Sequence, residues 1–89
     1  MREYEIKPSL AKKLKKIKKK DLKSCSNILK KINEIIKSND VNHYKNLRKP
    51  MQHLKRVHVN AHFVLTFKYT EKKDYVEFID YEHHDDAYL

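Results

Sequence analysis

The sequence predicts an α+β fold in which a strand and two helices precede a meander of three strands. Apolar residues recur with helical spacing between residues 10 and 36, whereas alternating polar and apolar residues return from residue 54 onwards. A short alternating segment also opens the chain. Because 89 residues provide enough chain for one small core, we expect a single domain spanning residues 1–89.

The first half of the chain is predicted to form a strand and a helical hairpin. The strand covers residues 2–7 and ends at Pro8. The first helix is expected to have Ser9 as its N-cap and a narrow apolar stripe, with lysines on its other faces. Asp21 is expected to cap the second helix, which ends near residues 38–40. The wider apolar stripe of that helix comprises Leu22, Cys25, Ile28, Leu29, Ile32, Ile35 and Ile36.

The second half is predicted to be an antiparallel meander. Residues 41–52 are expected to form a loop, because Pro50 argues against a regular element there. Strands are expected at residues 54–59, 61–69 and 74–81, and the short joins between them favour consecutive hairpins. With a short helical tail at the C-terminus, the complete order of elements is β-α-α-β-β-β.

Positive charge is concentrated in the first half of the chain. Residues 1–50 contain 16 Lys and Arg against 5 Asp and Glu, whereas residues 51–89 contain 5 against 7, which gives the formal net charge of +9. A basic surface attracts polyanions, so nucleic acid is the leading class of partner. The alternative is that the lysines only solvate helix surfaces. If the partner is RNA, the candidate contacts are Lys12, Lys16 and Lys19 of the first helix, Lys45, Arg48 and Lys49 of the loop, and Lys55.

Histidines are expected to meet at one end of the meander. His58 and His62 flank a tight turn, and His84, which we favour over His83, lies just after the last predicted strand. Since antiparallel neighbours run in opposite senses, the C-terminal end of the last strand should lie beside that turn. Imidazole titrates near neutral pH and suits general acid–base catalysis. Arg56 shares the strand face of His58. The alternative is that these are surface histidines without a catalytic role.

Several classes of function find no support in the sequence. A chain without glycine has no Gly-dependent phosphate loop, and the single Cys25 cannot form an internal disulfide or a Cys-based zinc site. The possible metal ligands are His58, His62, His84, Asp85 and Asp86, but no His-x-x-x-His pair lies on a predicted helix and the surrounding positive charge opposes cation binding, so we predict no metal ion. We also predict no cofactor and no small-molecule ligand. No segment approaches the ~18 apolar residues of a membrane span, and the first residues lack a signal-peptide pattern. We therefore expect a cytoplasmic protein without a membrane partner.

The order of elements and two short motifs resemble the RelE/ParE superfamily of toxin–antitoxin toxins over essentially the whole chain. In residues 56–68, a strand containing a His leads through a short turn to an aromatic, apolar strand, which is similar to the YafQ-type branch. Residues 84–88 resemble the closing His of that branch, followed four residues later by an aromatic residue. Leu47 stands where that branch has another His, Ala61-His62 replaces its Pro-Asp pair, and the glycines of the RelE turn are absent.

The resemblance implies a ribosome-dependent endoribonuclease that cleaves messenger RNA and is inhibited by a cognate antitoxin protein. By position, His58 and His84 match histidines associated with catalysis, and Tyr88 matches the terminal aromatic residue. Arg56 falls where RelE carries a basic residue of its active strand. His62 is a candidate substitute for the proton-transfer partner that the departures from the YafQ-type pattern remove. The alternatives are a ParE-like toxin that inhibits a topoisomerase without cleaving RNA, and a plain RNA- or DNA-binding module.

Overall fold

The computed structural model describes residues 2–87 and has the predicted α+β order of elements. These are β1 (Glu3–Ile6), α1 (Pro8–Lys20), α2 (Leu22–Lys37), β2 (Lys55–His58), β3 (Phe63–Thr70), β4 (Tyr75–His83) and α3 (His84–Ala87). Single turns of 3-10 helix, Val41–His43 and Glu71–Lys73, lie in two of the connections.

The strands form one mixed sheet in the order β1-β4-β3-β2. The meander of β2, β3 and β4 is antiparallel, as predicted, whereas β1 pairs in parallel with β4. Phe63, the first residue of β3, is paired with His83 at the end of β4, and Val64 is paired with His58. The register therefore brings three strand ends together at one end of the sheet: the end of β2, the start of β3 and the end of β4.

The core lies between the two long helices and one face of the sheet. Its fully buried side chains come from both layers, for example Leu10 and Ile28 from the helices and Phe67 and Phe78 from the strands. The predicted stripe of α2 is too wide by two residues, because Leu22 and Leu29 are 65% and 48% exposed. At 100° per residue both leucines lie on the same margin of the stripe, turned away from the sheet. No helix within residues 2–87 is long and apolar enough to cross a membrane.

One predicted helix cap is correct and the other is wrong. The carboxylate of Asp21 accepts hydrogen bonds from the Ser24 amide at 3.1 Å and the Ser24 hydroxyl at 2.6 Å, which lowers the pKa of Asp21. Helix α1, by contrast, begins at Pro8, with Lys7 at the N-cap and no side-chain cap, so Ser9 lies inside the first turn. Proline is favoured at the first helical position because its missing N–H needs no partner there.

The segment between α2 and β2 is a loop, as predicted, but it is closely packed. Val41, Leu47 and Leu54 are buried, and the Leu47 amide donates to the Leu54 carbonyl at 2.8 Å. An isolated bridge joins Asn46 to Lys55 at the outer edge of β2. This segment therefore shields the β2 edge of the sheet, where unpaired backbone groups would otherwise be exposed.

Candidate active site

The turn between β2 and β3 is held by the side chain of Asn60. Its amide nitrogen donates to the Ser24 carbonyl at 3.0 Å and to the Tyr81 hydroxyl at 3.1 Å, and its amide oxygen accepts from the Asn27 side chain at 2.8 Å. Asn60 and Ala61 both have φ of 59°, a left-handed conformation that Asn tolerates better than most residues. The turn is thus fixed to α2 on one side and to β4 on the other.

Tyr81 is the part of this network that lies in the core. Burial raises the pKa of its hydroxyl, although the hydrogen bond from Asn60 acts in the opposite direction. The hydroxyl therefore stays protonated near neutral pH and approaches the Val59 carbonyl at 3.5 Å. Since Val59 precedes the turn and Tyr81 belongs to β4, this contact also helps to fix the distance between the two strand ends.

The structure brings His58 and His84 together, as the strand topology predicted. Their rings are stacked, with 5.5 Å between centroids and 23° between planes. The backbone amide of His84 donates to the carbonyl of His62 at 2.6 Å, so the first residue of α3 is tied directly to the β2–β3 turn. Both side chains are exposed, which leaves two imidazoles accessible from solvent at the end of the sheet.

His62 does not join that pair but forms a second one with His83. The two rings are stacked with 6.1 Å between centroids, and the edge of the His83 ring approaches Phe63 in a T-shaped contact at 5.4 Å. The prediction that the C-terminal end of the last strand lies beside this turn is confirmed for His83, which is opposite Phe63 in the strand register.

Asp85 lies beside both C-terminal histidines. Its carboxylate oxygens are 3.5 Å from Nδ1 of His84 and 3.7 Å from Nδ1 of His83. The Asp85 amide also donates to Nδ1 of His83 at 3.3 Å. A nitrogen that accepts this bond cannot at the same time donate to the carboxylate, so Asp85 is better placed to orient His84. The carboxylate is 82% exposed, which weakens any purely electrostatic effect on the histidines.

Two catalytic candidates remain, Arg56 and Tyr88. Arg56 is paired with Thr66 in the sheet and lies two residues before His58, so both point to the same face. Its side chain is partly buried. Tyr88 lies outside the described residues. Within residues 2–87, no three His, Cys, Asp or Glu side chains are grouped so that they could hold a metal ion.

Comparison with known proteins places this chain in a family. No protein-family model matches it. It is 48% identical over 88 residues to "Putative toxin RelE4" of Methanocaldococcus jannaschii, a match that covers 99% of this chain and 92% of the relative. The chain belongs to the RelE family of toxins. An uncharacterized protein of Methanosarcina mazei is 44% identical over 84 residues, which covers 94% of this chain and 95% of that protein.

Solved structures share the fold of this RelE-family toxin at much lower sequence identity. The isolated RelE toxin of E. coli superposes with a TM-score of 0.71 at 14% identity, over 93% of this chain and 84% of RelE. YafQ from E. coli strain BL21(DE3) superposes with a TM-score of 0.65 at 17% identity, over the full length of both chains. The predicted RelE-like fold is therefore confirmed.

Most of the cations predicted to contact RNA are exposed on the toxin. They are Lys12, Lys16 and Lys19 on α1, and Lys45, Arg48 and Lys49 in the loop before β2. Lys55 is different, because it is only 8% exposed and its ammonium donates to the Tyr44 carbonyl at 3.2 Å and to the Asn46 side-chain oxygen at 2.9 Å. We therefore interpret Lys55 as a support for the loop rather than as an RNA contact.

Lys13 is a further cation of α1 that is already engaged within the fold. Its ammonium lies 2.7 Å from the Asp80 carboxylate and 3.2 Å from the Tyr81 carbonyl. Burial opposes ionisation of Asp80, but interactions with Glu82 and Lys13 together hold the pKa of Asp80 below its usual value. This ion pair attaches α1 to the end of β4 that contains His83 and is followed by His84.

Proposed function

We propose that this toxin is an endoribonuclease that cleaves messenger RNA in the decoding site of the ribosome and so inhibits translation. The observation that carries the proposal is the exposed, stacked pair of His58 and His84 at the end of the sheet, in a chain of the RelE family. Two imidazoles this close together can reach the same phosphodiester group and exchange protons with both of its reacting oxygens.

The proposed reaction is a transphosphorylation within the RNA. The 2′-hydroxyl attacks the adjacent phosphorus, and one imidazole accepts its proton as the new P–O bond forms. The bond from phosphorus to the 5′ oxygen breaks, and the second imidazole, which is protonated, donates its proton to that oxygen. The products carry a 2′,3′-cyclic phosphate and a free 5′-hydroxyl. Both proton transfers are made by His58 and His84, so the proposed chemistry does not require a metal ion.

Neighbouring residues complete the proposed site. Arg56, on the same sheet face as His58, would stabilise the negative charge that develops on the phosphoryl oxygens. Asp85, 3.5 Å from Nδ1 of His84, acts as a positioning residue for that ring. Tyr88 is proposed to stack on a base, following the family pattern. His62 contacts His83 rather than the catalytic pair, and we assign it no proton-transfer step.

The proposed partners follow from the charge of the surface. Exposed lysines of α1, such as Lys12 and Lys19, would contact ribosomal RNA phosphates and position the toxin without reading sequence. A cognate antitoxin with an acidic or amphipathic segment would bind across the same basic surface and block it. Because the substrate is a message under translation, the proposed place of action is the cytoplasm.

The test is message cleavage by histidine variants of the toxin. His58→Ala and His84→Ala are each expected to reduce cleavage about 10²–10⁴-fold, because each removes one proton transfer. His53→Ala, which replaces an exposed histidine in the loop before β2, is the control and should leave cleavage unchanged. Cleavage is measured by primer extension on RNA from induced cells and by translation of a reporter message in vitro.

The chemical nature of the cut ends separates this mechanism from others. Fragments with a free 5′-hydroxyl accept phosphate from polynucleotide kinase without phosphatase treatment. Fragments that instead carry 5′-phosphates, or undiminished cleavage by both histidine variants, would contradict the proposed mechanism. Growth arrest with intact messages would favour the ParE-like alternative or a binding module that uses the basic helices.

A further inference from the structure

A groove lies between α1 and the β2–β3 turn, on the opposite side of the strand ends from His58 and His84. It has a volume of about 470 Å³ and an apolar floor of Ile17, Phe63 and Tyr81. Lys16 and Lys20, both exposed, line it from the C-terminal half of α1. Lys13, which is paired with Asp80, and Asp21, whose carboxylate accepts hydrogen bonds from Ser24, also line the groove. An open apolar floor with more cations than acids at its border suits a ligand that has a flat apolar part and a negative charge.

Phe63 is the distinctive residue of this groove. It is 36% exposed although it stands at the start of a central strand. Its ring is nearly parallel to that of Tyr81, with 5.0 Å between centroids and 9° between planes, and the His83 ring meets it in a T-shaped contact. One side of the ring is therefore held against the core while the rest lines the groove. A rigid, exposed aromatic ring beside lysines is the arrangement with which proteins stack unpaired bases.

The groove adjoins the candidate catalytic site at Phe63, whose ring contacts His83, although none of the four histidines lines the groove. Phe63 directly follows His62, and the His83 ring contacts both residues. The His62 carbonyl in turn accepts the hydrogen bond from the His84 amide. An RNA strand with its scissile phosphate at His58 and His84 can therefore pass over the stacked pair of His62 and His83 and reach Phe63.

We propose that this groove binds an unpaired nucleotide of the RNA substrate next to the cleaved one, with its base stacked on Phe63 and its phosphate bound by Lys16 and Lys20. The inference rests on the proposed ribonuclease function. It assigns Phe63 a role in holding the substrate strand, so that substitution should affect binding of RNA more than the chemical step.

The first test measures binding of a short fluorescent single-stranded RNA to the toxin carrying His84→Ala, which prevents cleavage during the measurement. Adding Phe63→Leu, which keeps an apolar side chain but removes the ring, is expected to weaken binding about 5- to 150-fold. Phe63→Tyr keeps the ring and should bind within about twofold of the parent. Leu29→Ala, which removes an exposed apolar side chain on the outer surface of α2, is the matched control and should not change affinity.

The second test separates the two lysines of the groove from other lysines of the same helix. Lys16→Gln with Lys20→Gln should weaken binding and reduce the slope of log affinity against log salt by about 1.4, since each contact with a single strand contributes about 0.7. Lys15→Gln with Lys18→Gln removes the same charge from exposed positions of α1 outside the groove and should leave most of that slope intact.

Abasic nucleotides locate the stacked base within the RNA. An RNA with one abasic position beside the cleavage site should bind the parent more weakly but should bind the Phe63→Leu variant no more weakly than intact RNA. The proposal is overturned if Phe63→Leu binds RNA like the parent, or if the two lysine pairs have equal effects. It is also overturned if Phe63→Leu weakens only the complex with an antitoxin. These outcomes are independent of the cleavage assay, in which the proposed function fails if His58→Ala and His84→Ala both remain active.

Discussion

The Asn60 side chain is predicted to contribute a large share of the stability of this toxin. Asn60→Gly removes its three hydrogen bonds, to Ser24, Asn27 and Tyr81, while the glycine accepts φ of 59° without strain. At about 1 kcal/mol for each bond, the free energy of unfolding should fall by about 2–3 kcal/mol. For a domain of this size that corresponds to a decrease in Tm of roughly 10–20 °C.

Urea unfolding followed by circular dichroism measures this change, and three further variants test its cause. Asn27→Ala removes one of the three bonds and should cost about 1 kcal/mol, and the double variant should show coupling of similar size. Asn60→Ala should be less stable than Asn60→Gly by about 0.5–1 kcal/mol, because the strain of alanine in the left-handed region outweighs the freedom that glycine adds to the unfolded chain. If Asn60→Gly is within 0.5 kcal/mol of the parent, or if the alanine and glycine variants are equal, this reasoning is refuted.

Three further predictions concern positions around this framework. Ala61→Gly should stabilise the protein by about 0.5–1 kcal/mol in thermal unfolding, because it relieves a residue with φ of 59° but adds freedom to the unfolded chain. Lys55→Met should lower stability by about 2 kcal/mol through loss of its bonds to Tyr44 and Asn46, yet leave affinity for RNA unchanged in the binding assay. The hydrogen bond from Tyr44, which outweighs the opposing effect of partial burial, lowers the pKa of Glu34. Because the carboxyl pKa is depressed in the folded state, its ionisation stabilises the fold at pH values above the unfolded pKa of 4.5, and this stabilisation is lost as pH falls through the folded pKa. Glu34→Gln should therefore be less stable than the parent at neutral pH and converge with it in acid.

The sequence was sufficient to predict the secondary-structure elements and one of the two histidine pairs. Helical periodicity and short joins are local signals, so the two helices and the meander could be predicted with small errors at their ends. The approach of His58 to His84 followed from antiparallel geometry alone. The pairing of β1 with β4 could not be predicted from such local signals, because it joins segments at opposite ends of the chain.

Side-chain partners were harder to predict than the positions of backbone elements. His62 pairs with His83 rather than with His58 because of the turn conformation, in which Asn60 and Ala61 are left-handed. A sequence without glycine gives no local signal for such residues. The burial of Lys55 depends on carbonyl and amide oxygens supplied by an irregular loop. Phe63 was recognised only as a strand residue, because its exposure results from the position of α1 relative to the strand end.

The distribution of charge separates binding from chemistry in this toxin. Many of the exposed lysines lie on α1 and in the loop before β2, whereas His84 of the histidine pair is close to Asp85 and follows the acidic end of β4. The Lys13 ammonium, which reaches that part of β4, is already paired with Asp80. In the proposed mechanism, most of the attraction for RNA therefore comes from lysines away from the reacting phosphate, where Arg56 stabilises charge, and proton transfer comes from the imidazoles of His58 and His84. Binding energy gained on remote parts of a substrate positions its reacting centre. Loss of the lysines should consequently raise KM, whereas loss of either histidine should lower kcat.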